Sequence, residues 1–88
     1  MARIQMEHEE AAITPNATNA GILFELGMRY CSGHEVEQNY VTAHKWFNLA
    51  ALKGSEEARF YRSELSREMT AAEVHEAQRL ARAWLTVH

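Results

Sequence analysis

The side chains with chemistry to offer in this chain are one cysteine, five histidines and a group of arginines. A cysteine beside a histidine is the pairing used in nucleophilic catalysis, and Cys31 has His34 and His44 downstream of it. The thiol must lose its proton to attack. That usually requires a helix N-terminus or a nearby cation to lower its pKa. Cys31 falls where a helix is expected to end, and the negative end of the helix dipole works in the opposite sense. Cys31 is therefore read as a small packing residue, and no catalytic residue is expected. The histidines raise a metal question. His34 and His44 are ten residues apart and His8, His75 and His88 are scattered. No pair has the i, i+4 spacing that sets two ligands on one helical face. One cysteine also excludes an intrachain disulfide and a four-cysteine zinc site. No metal or cofactor is expected. Arg59, Arg62, Arg79 and Arg82 could face an acidic partner. Glu56, Glu73 and Glu76 stand at spacings suited to pairing with them, so a self-paired, solvated face is expected instead.

What remains is the framework that would position any site. Apolar residues recur at helical spacing from Ala20 onward. Helix one is expected from Ala20 to Cys31, with Asn19 as its N-cap. Its buried stripe is Ile22, Leu23, Leu26 and Tyr30. Gly27 sits inside it, where glycine costs roughly 1 kcal/mol against alanine. Close approach of a second helix would explain that cost. Gly33 suits the left-handed residue that ends a helix. Helix two should start after Asn39, with Tyr40, Ala43, Trp46, Phe47, Ala50 and Ala51 on one broad face, and should close at Gly54. Ser55 caps helix three, whose buried line is Ala58, Tyr61, Leu65 and Met69. Helix four opens on Thr70-Ala71-Ala72-Glu73, a capping box, and buries Val74, Ala77, Leu80, Ala81, Trp84 and Leu85. In helix two, large aromatics alternate with alanines, so bulky knobs can sit opposite small holes. The fold class read from this is all-α, with two antiparallel helix–turn–helix units.

Composition bounds the rest. The chain has 88 residues, 47 % hydrophobic and 24 % charged, with a formal net charge of −3. That length allows one small domain with a thin core. Residues 1–19 lack a regular apolar stripe and contain Thr14-Pro15-Asn16, which is loop chemistry. They are read as a flexible N-terminal tail, with the domain spanning residues 20–88. The last part of the chain interleaves Glu with Arg, so no basic footprint for nucleic acid emerges. No window approaches the ~20 apolar residues of a membrane span. MARIQMEHEEAAI carries acid where a secretion signal needs an apolar run. A cytoplasmic protein binding neither nucleic acid nor membrane is expected.

One stretch carries a recognisable pattern. Leu26-Gly27, Tyr30, Gly33, Val36, Tyr40, Ala43, Trp46-Phe47, Ala50-Ala51, Gly54 and Ala58 resemble the Sel1-like repeat, a relative of the tetratricopeptide repeat. Helices three and four resemble the closing helices found after such a repeat in small bacterial proteins. Glu35 stands where the family turn has its second glycine, Asn39 where it has aspartate, and Arg62 where a second repeat would have leucine. The resemblance thus implies one full repeat followed by a degenerate capping pair. It further implies a non-catalytic module, not an enzyme, that binds another protein or peptide. Helix one of such a unit lines the concave face. This places Phe24, Met28 and Cys31 toward that face, with Arg59 and Phe60 extending it from helix three. Phe24 and Met28, one turn apart and off the Leu26/Tyr30 line, are expected to form an exposed apolar strip without partners on the other helices. The alternative is a structural subunit of a homodimer or larger complex.

Overall fold

The computed structural model describes residues 19–87. They form four helices, α1 Ala20–Ser32, α2 Tyr40–Leu52, α3 Glu56–Ser66 and α4 Ala71–Val87, and no strand occurs among them. The N-terminal tail is expected over residues 1–19, of which 1–18 lie outside the described residues. Asn19 caps α1, as its side chain suggests.

Each helix starts where its capping residue dictates. The first N–H groups of a helix have no partner within it, and a short polar side chain supplies one. The Ile22 N–H donates to Asn19 Oδ1, the Thr42 N–H to Asn39 Oδ1, and the Ala58 N–H to Ser55 Oγ, each at 3.0 Å. At α4 the arrangement is reciprocal. The Thr70 N–H donates to Glu73 Oε1 at 2.8 Å, and the Glu73 N–H donates to Thr70 Oγ1 at 3.1 Å. The α1 helix ends at Gly33, whose φ of 80° is left-handed and whose N–H donates to the Arg29 carbonyl at 2.8 Å.

The core is organised around α2, against which α1, α3 and α4 all pack. Contact between α1 and α3 is small, and α3 and α4 lie mainly on α2 rather than on each other. A helix with three neighbours cannot keep a single buried stripe. Beside the expected Ala43, Trp46, Phe47, Ala50 and Ala51, it also buries His44 and Leu49, each with 1 % of its surface exposed. Tyr40, by contrast, is 36 % exposed. The other large buried groups are Leu23, Leu26 and Leu65. Each such side chain contributes about 1.5–3 kcal/mol relative to leaving it in water. With so few of them, any one is a large share of the stability.

The contact that brings α1 onto α2 is Gly27 against Phe47. A Cβ at Gly27 would overlap the Phe47 ring, which is fully buried. The glycine is therefore tolerated mid-helix because the ring occupies the space of its missing side chain.

Candidate functional site

The seating of Phe47 determines what happens to the residues read as an interaction strip. With its ring against Gly27, the α1 side chains on either side are drawn into contact. The Phe24 ring lies 5.8 Å from Phe47 and 5.7 Å from Tyr61 of α3. Met28 and Cys31 also pack partly against the core. This corrects the expectation that Phe24 lacks partners on the other helices, and Met28 is partly buried against the core instead of joining Phe24 in an exposed strip. Tyr61 in turn stacks on Phe47 at 5.9 Å, and Phe60 meets Tyr61 edge-on at 5.5 Å. The rings thus run from the buried Phe47 outward to Phe60, which is 60 % exposed. Tilted and edge-on pairs of this kind are favourable arrangements for aromatic quadrupoles. They hold Phe60 on a supported platform at the surface.

Arg59, the fifth expected binding residue, belongs to a different surface. An open groove of about 740 Å³ lies between α3 and α4, with α2 as its floor. Leu49, Ala51 and Ala81 form the apolar base, and Leu52 and Leu85 stand partly exposed at its margins. Arg59 and Arg62 enter from α3, and Arg82 from α4. The structure therefore places Phe24 and Phe60 with the aromatic platform, packs Met28 and Cys31 partly against the core, and separates Arg59 from them. Sequence reasoning weighs Arg82 with the other arginines as a face for an acidic partner and reads it as self-paired. It expects Leu85 in the buried stripe of α4, but Leu85 is 40 % exposed. Gln78 is not singled out, although the i, i+3 and i+4 spacing of these three residues on α4 is a visible signal.

The arginines depart from the self-paired expectation. Arg79 does pair, with its Nη2 at 2.7 Å from Glu76 Oε2. This contact lowers the Glu76 pKa and raises that of Arg79. Arg29 pairs with Glu35 at 3.2 Å and Arg67 with Glu64 at 3.4 Å. Arg59, Arg62 and Arg82 have no carboxylate partner among the described residues. Arg62 Nη1 donates instead to Asn48 Oδ1 at 2.8 Å. Position explains the division, since the described residues that line the groove include no acidic side chain.

His44 shows what a buried polar group needs. Its Nε2 lies 2.9 Å from Ser66 Oγ, and that hydroxyl donates to the Arg62 carbonyl at 2.9 Å. The hydroxyl proton is used there, so Ser66 accepts from the His44 Nε2–H. The other ring nitrogen has no partner among the described residues. Burial, and then the charge of Arg62, pushes the imidazole pKa below its ordinary value. His44 is thus a neutral tie between α2 and α3. Beside it, Lys45 lays its ammonium 4.1 Å from the centre of the Trp46 ring. Burial lowers the Lys45 pKa. Trp46 meets Trp84 of α4 edge-on at 5.8 Å.

The Cys31 thiol pKa is raised by burial. Sequence reasoning reached the same direction from the helix dipole, whereas desolvation is the cause seen here. Neither histidine proposed beside Cys31 turns to it. His34 lies 3.7 Å from Glu35, and His44 is held by Ser66. No group of three or more His, Cys, Asp or Glu among the described residues is placed to hold a metal ion. Among those residues no helix is long and apolar enough to cross a membrane.

Comparison with known proteins adds no relative: no protein-family model matches the chain, nor does a curated protein or a solved structure.

Proposed function

We propose that this chain is a non-catalytic protein-interaction module of the Sel1-like kind, with one full repeat and a capping helix pair. The observation that carries the interaction reading is the aromatic platform on α3. A phenylalanine that is 60 % exposed, braced edge-on by a tyrosine that stacks on the core, is a preformed apolar anchor. Rigid aromatic anchors of this type dominate protein–protein binding, because ordering them on contact costs little further entropy.

The repeat reading draws support from the turn between α1 and α2. Glu35 has a φ of 68°, a left-handed value that non-glycine residues rarely adopt. It occupies the position where the resemblance implies a glycine. A backbone shaped for glycine, carrying glutamate, is what a diverged member of such a family would retain. The Gly27–Phe47 contact supports the same reading, since both residues belong to the resembling motif.

Two variants in a native-lysate capture test the function. Phe60→Glu changes an exposed group and is expected to remove the captured partner while helical circular dichroism and melting midpoint stay as in wild type. Phe24→Glu places a carboxylate against Phe47 and Tyr61, and is expected to destabilise the chain by more than about 1 kcal/mol. Retention of every captured protein by Phe60→Glu would remove the platform as the binding surface. Sedimentation of the isolated chain separates the structural-subunit alternative: a stable monomer fits the module, and a dimer broken by Phe60→Glu fits the subunit.

A further inference from the structure

We propose that the groove between α3 and α4 is a docking site for an acidic amphipathic helix of a partner protein. The site lies beyond the aromatic platform and stands on separate observations. The first is the charge pattern. Of the six arginines among the described residues, Arg29, Arg67 and Arg79 each pair with a carboxylate, and all three lie outside the groove. The remaining three, Arg59, Arg62 and Arg82, line it, and none has a carboxylate partner among the described residues. In a chain of net charge −3, with acidic residues in nearly every helix, a surface with three cations and no anion among its described lining residues is a local reversal. Such a surface complements carboxylates and repels basic partners.

The second observation is the shape and chemistry of the floor. The base is apolar, and two leucines stand proud at its margins, Leu52 at 66 % and Leu85 at 40 % exposure. Two helices flank an open trough because α3 and α4 both lie on α2 and leave the space between them unfilled. That is the geometry in which a helix lays an apolar face into a groove, read as anchors at i, i+3 and i+4. The arginines at the walls then meet Glu or Asp flanking those anchors. Arg59 and Arg82 are exposed and can turn to such a ligand, whereas Arg62 is tethered to Asn48 and offers its remaining N–H groups from a fixed position. A nucleic-acid strand is a poorer match. It would require an extended cationic track and aromatic stacking in the groove, and no described residue of its lining is aromatic.

The test is a fluorescence-anisotropy titration of the full chain. The probe is a labelled, alanine-rich synthetic peptide of about 16 residues, long enough to be partly helical alone, with leucines at i, i+4 along one face and a few glutamates flanking them. A second probe has every glutamate replaced by lysine, a third is a single-stranded oligonucleotide, and a fourth is the peptide of residues 1–18. Saturable binding of the glutamate probe is expected, weakening about tenfold or more as the ionic strength rises from about 0.05 to 0.5 M. The double variant Arg59→Glu/Arg82→Glu should weaken it by a similar factor with an unchanged circular-dichroism melt, because both side chains are exposed. Phe60→Glu should leave it as in wild type, so failure of the platform reading and failure of this one are separable. No saturable binding up to about 1 mM would overturn the proposal. So would equal binding of the lysine probe, or insensitivity to the double variant. Tighter binding of the oligonucleotide would assign the groove to nucleic acid, and tighter binding of residues 1–18 would assign it to this chain's own segment. A self-association broken by the double variant would assign it to a second copy. Each of these three results also overturns the proposal.

Discussion

Gly27 and Glu35 are two residues whose backbone positions make opposite demands. At Gly27 the demand is space. Alanine there raises helix propensity by up to about 1 kcal/mol, which would stabilise an open site. The added Cβ, however, overlaps the Phe47 ring, and that ring is fully buried and cannot move aside cheaply. Overpacking typically costs 1–3 kcal/mol, so Gly27→Ala is expected to lower stability by about 1–2 kcal/mol in urea denaturation. A gain would mean that the ring is free to shift. At Glu35 the demand is conformational. A left-handed residue with a Cβ carries a cost of roughly 1 kcal/mol. Its ion pair with Arg29 is exposed, and pairs of that kind contribute little. Glu35→Gly is therefore expected to stabilise the chain by about 0.5 kcal/mol, read as a raised denaturation midpoint with an unchanged slope.

At the scale of the element, the helices owe their starting points to local chemistry, and α3 is held to α2 by polar ties as well as by packing. The α4 helix opens on a reciprocal capping box and meets the rest of the molecule chiefly through α2. Thr70→Ala removes the hydroxyl that accepts the Glu73 N–H, and is expected to cost about 1 kcal/mol. Hydrogen exchange should show the loss in the first turn of α4 before it appears elsewhere. The tie between α2 and α3 runs through His44 and Ser66, and it titrates. Burial holds the folded His44 pKa below its unfolded value of 6.5. The unfolded chain then binds the proton more readily than the folded one, so acid favours unfolding. The contribution is complete above 6.5 and is lost as the pH falls from there through the depressed folded value. The melting midpoint should drop between pH 7 and pH 5, and His44→Gln, which keeps a donor for Ser66, should make that drop shallower. An equal drop in the variant would assign the dependence to other groups.

At the scale of the molecule, stability rests on one helix. Phe47 touches α1 through Gly27 and Phe24, and α3 through Tyr61. Truncation of a buried phenylalanine costs about 3–5 kcal/mol, and a small domain has only about 5 kcal/mol or so at the low end of the usual range. Phe47→Ala is therefore expected to abolish most of the helical circular-dichroism signal at 25 °C. Trp84→Ala, which removes an edge contact at the α2–α4 junction, should be milder and leave the chain folded. A cooperative melt in Phe47→Ala close to that of wild type would show that α2 is not the common support.

The amino-acid sequence by itself determined the four helices of the described residues, their starting residues and the reason for Gly27. These are set within a few positions of each residue: a cap meets an N–H three residues on, and a missing Cβ marks a close neighbour. Helix one even ends within a residue of its expected limit, at Ser32 rather than Cys31. The sequence also held the aromatic and arginine residues that line both surfaces. Only the tertiary structure decided how they are shared out. Periodicity assigns one buried face to each helix, but α2 meets three neighbours and buries His44 and Leu49 outside the expected stripe. Spacing along α3 and α4 suggested that glutamates neutralise the arginines, yet a pair forms only where both side chains turn to the same side. Arg79 meets Glu76 at an i, i+3 spacing, whereas Arg59 and Arg82, on different helices, face one groove that no carboxylate of the described residues lines. Which helix lies across from which is a long-range outcome of packing the few large side chains around Phe47. That outcome, and not any local pattern, set Phe24 against the core and left the space between α3 and α4 open.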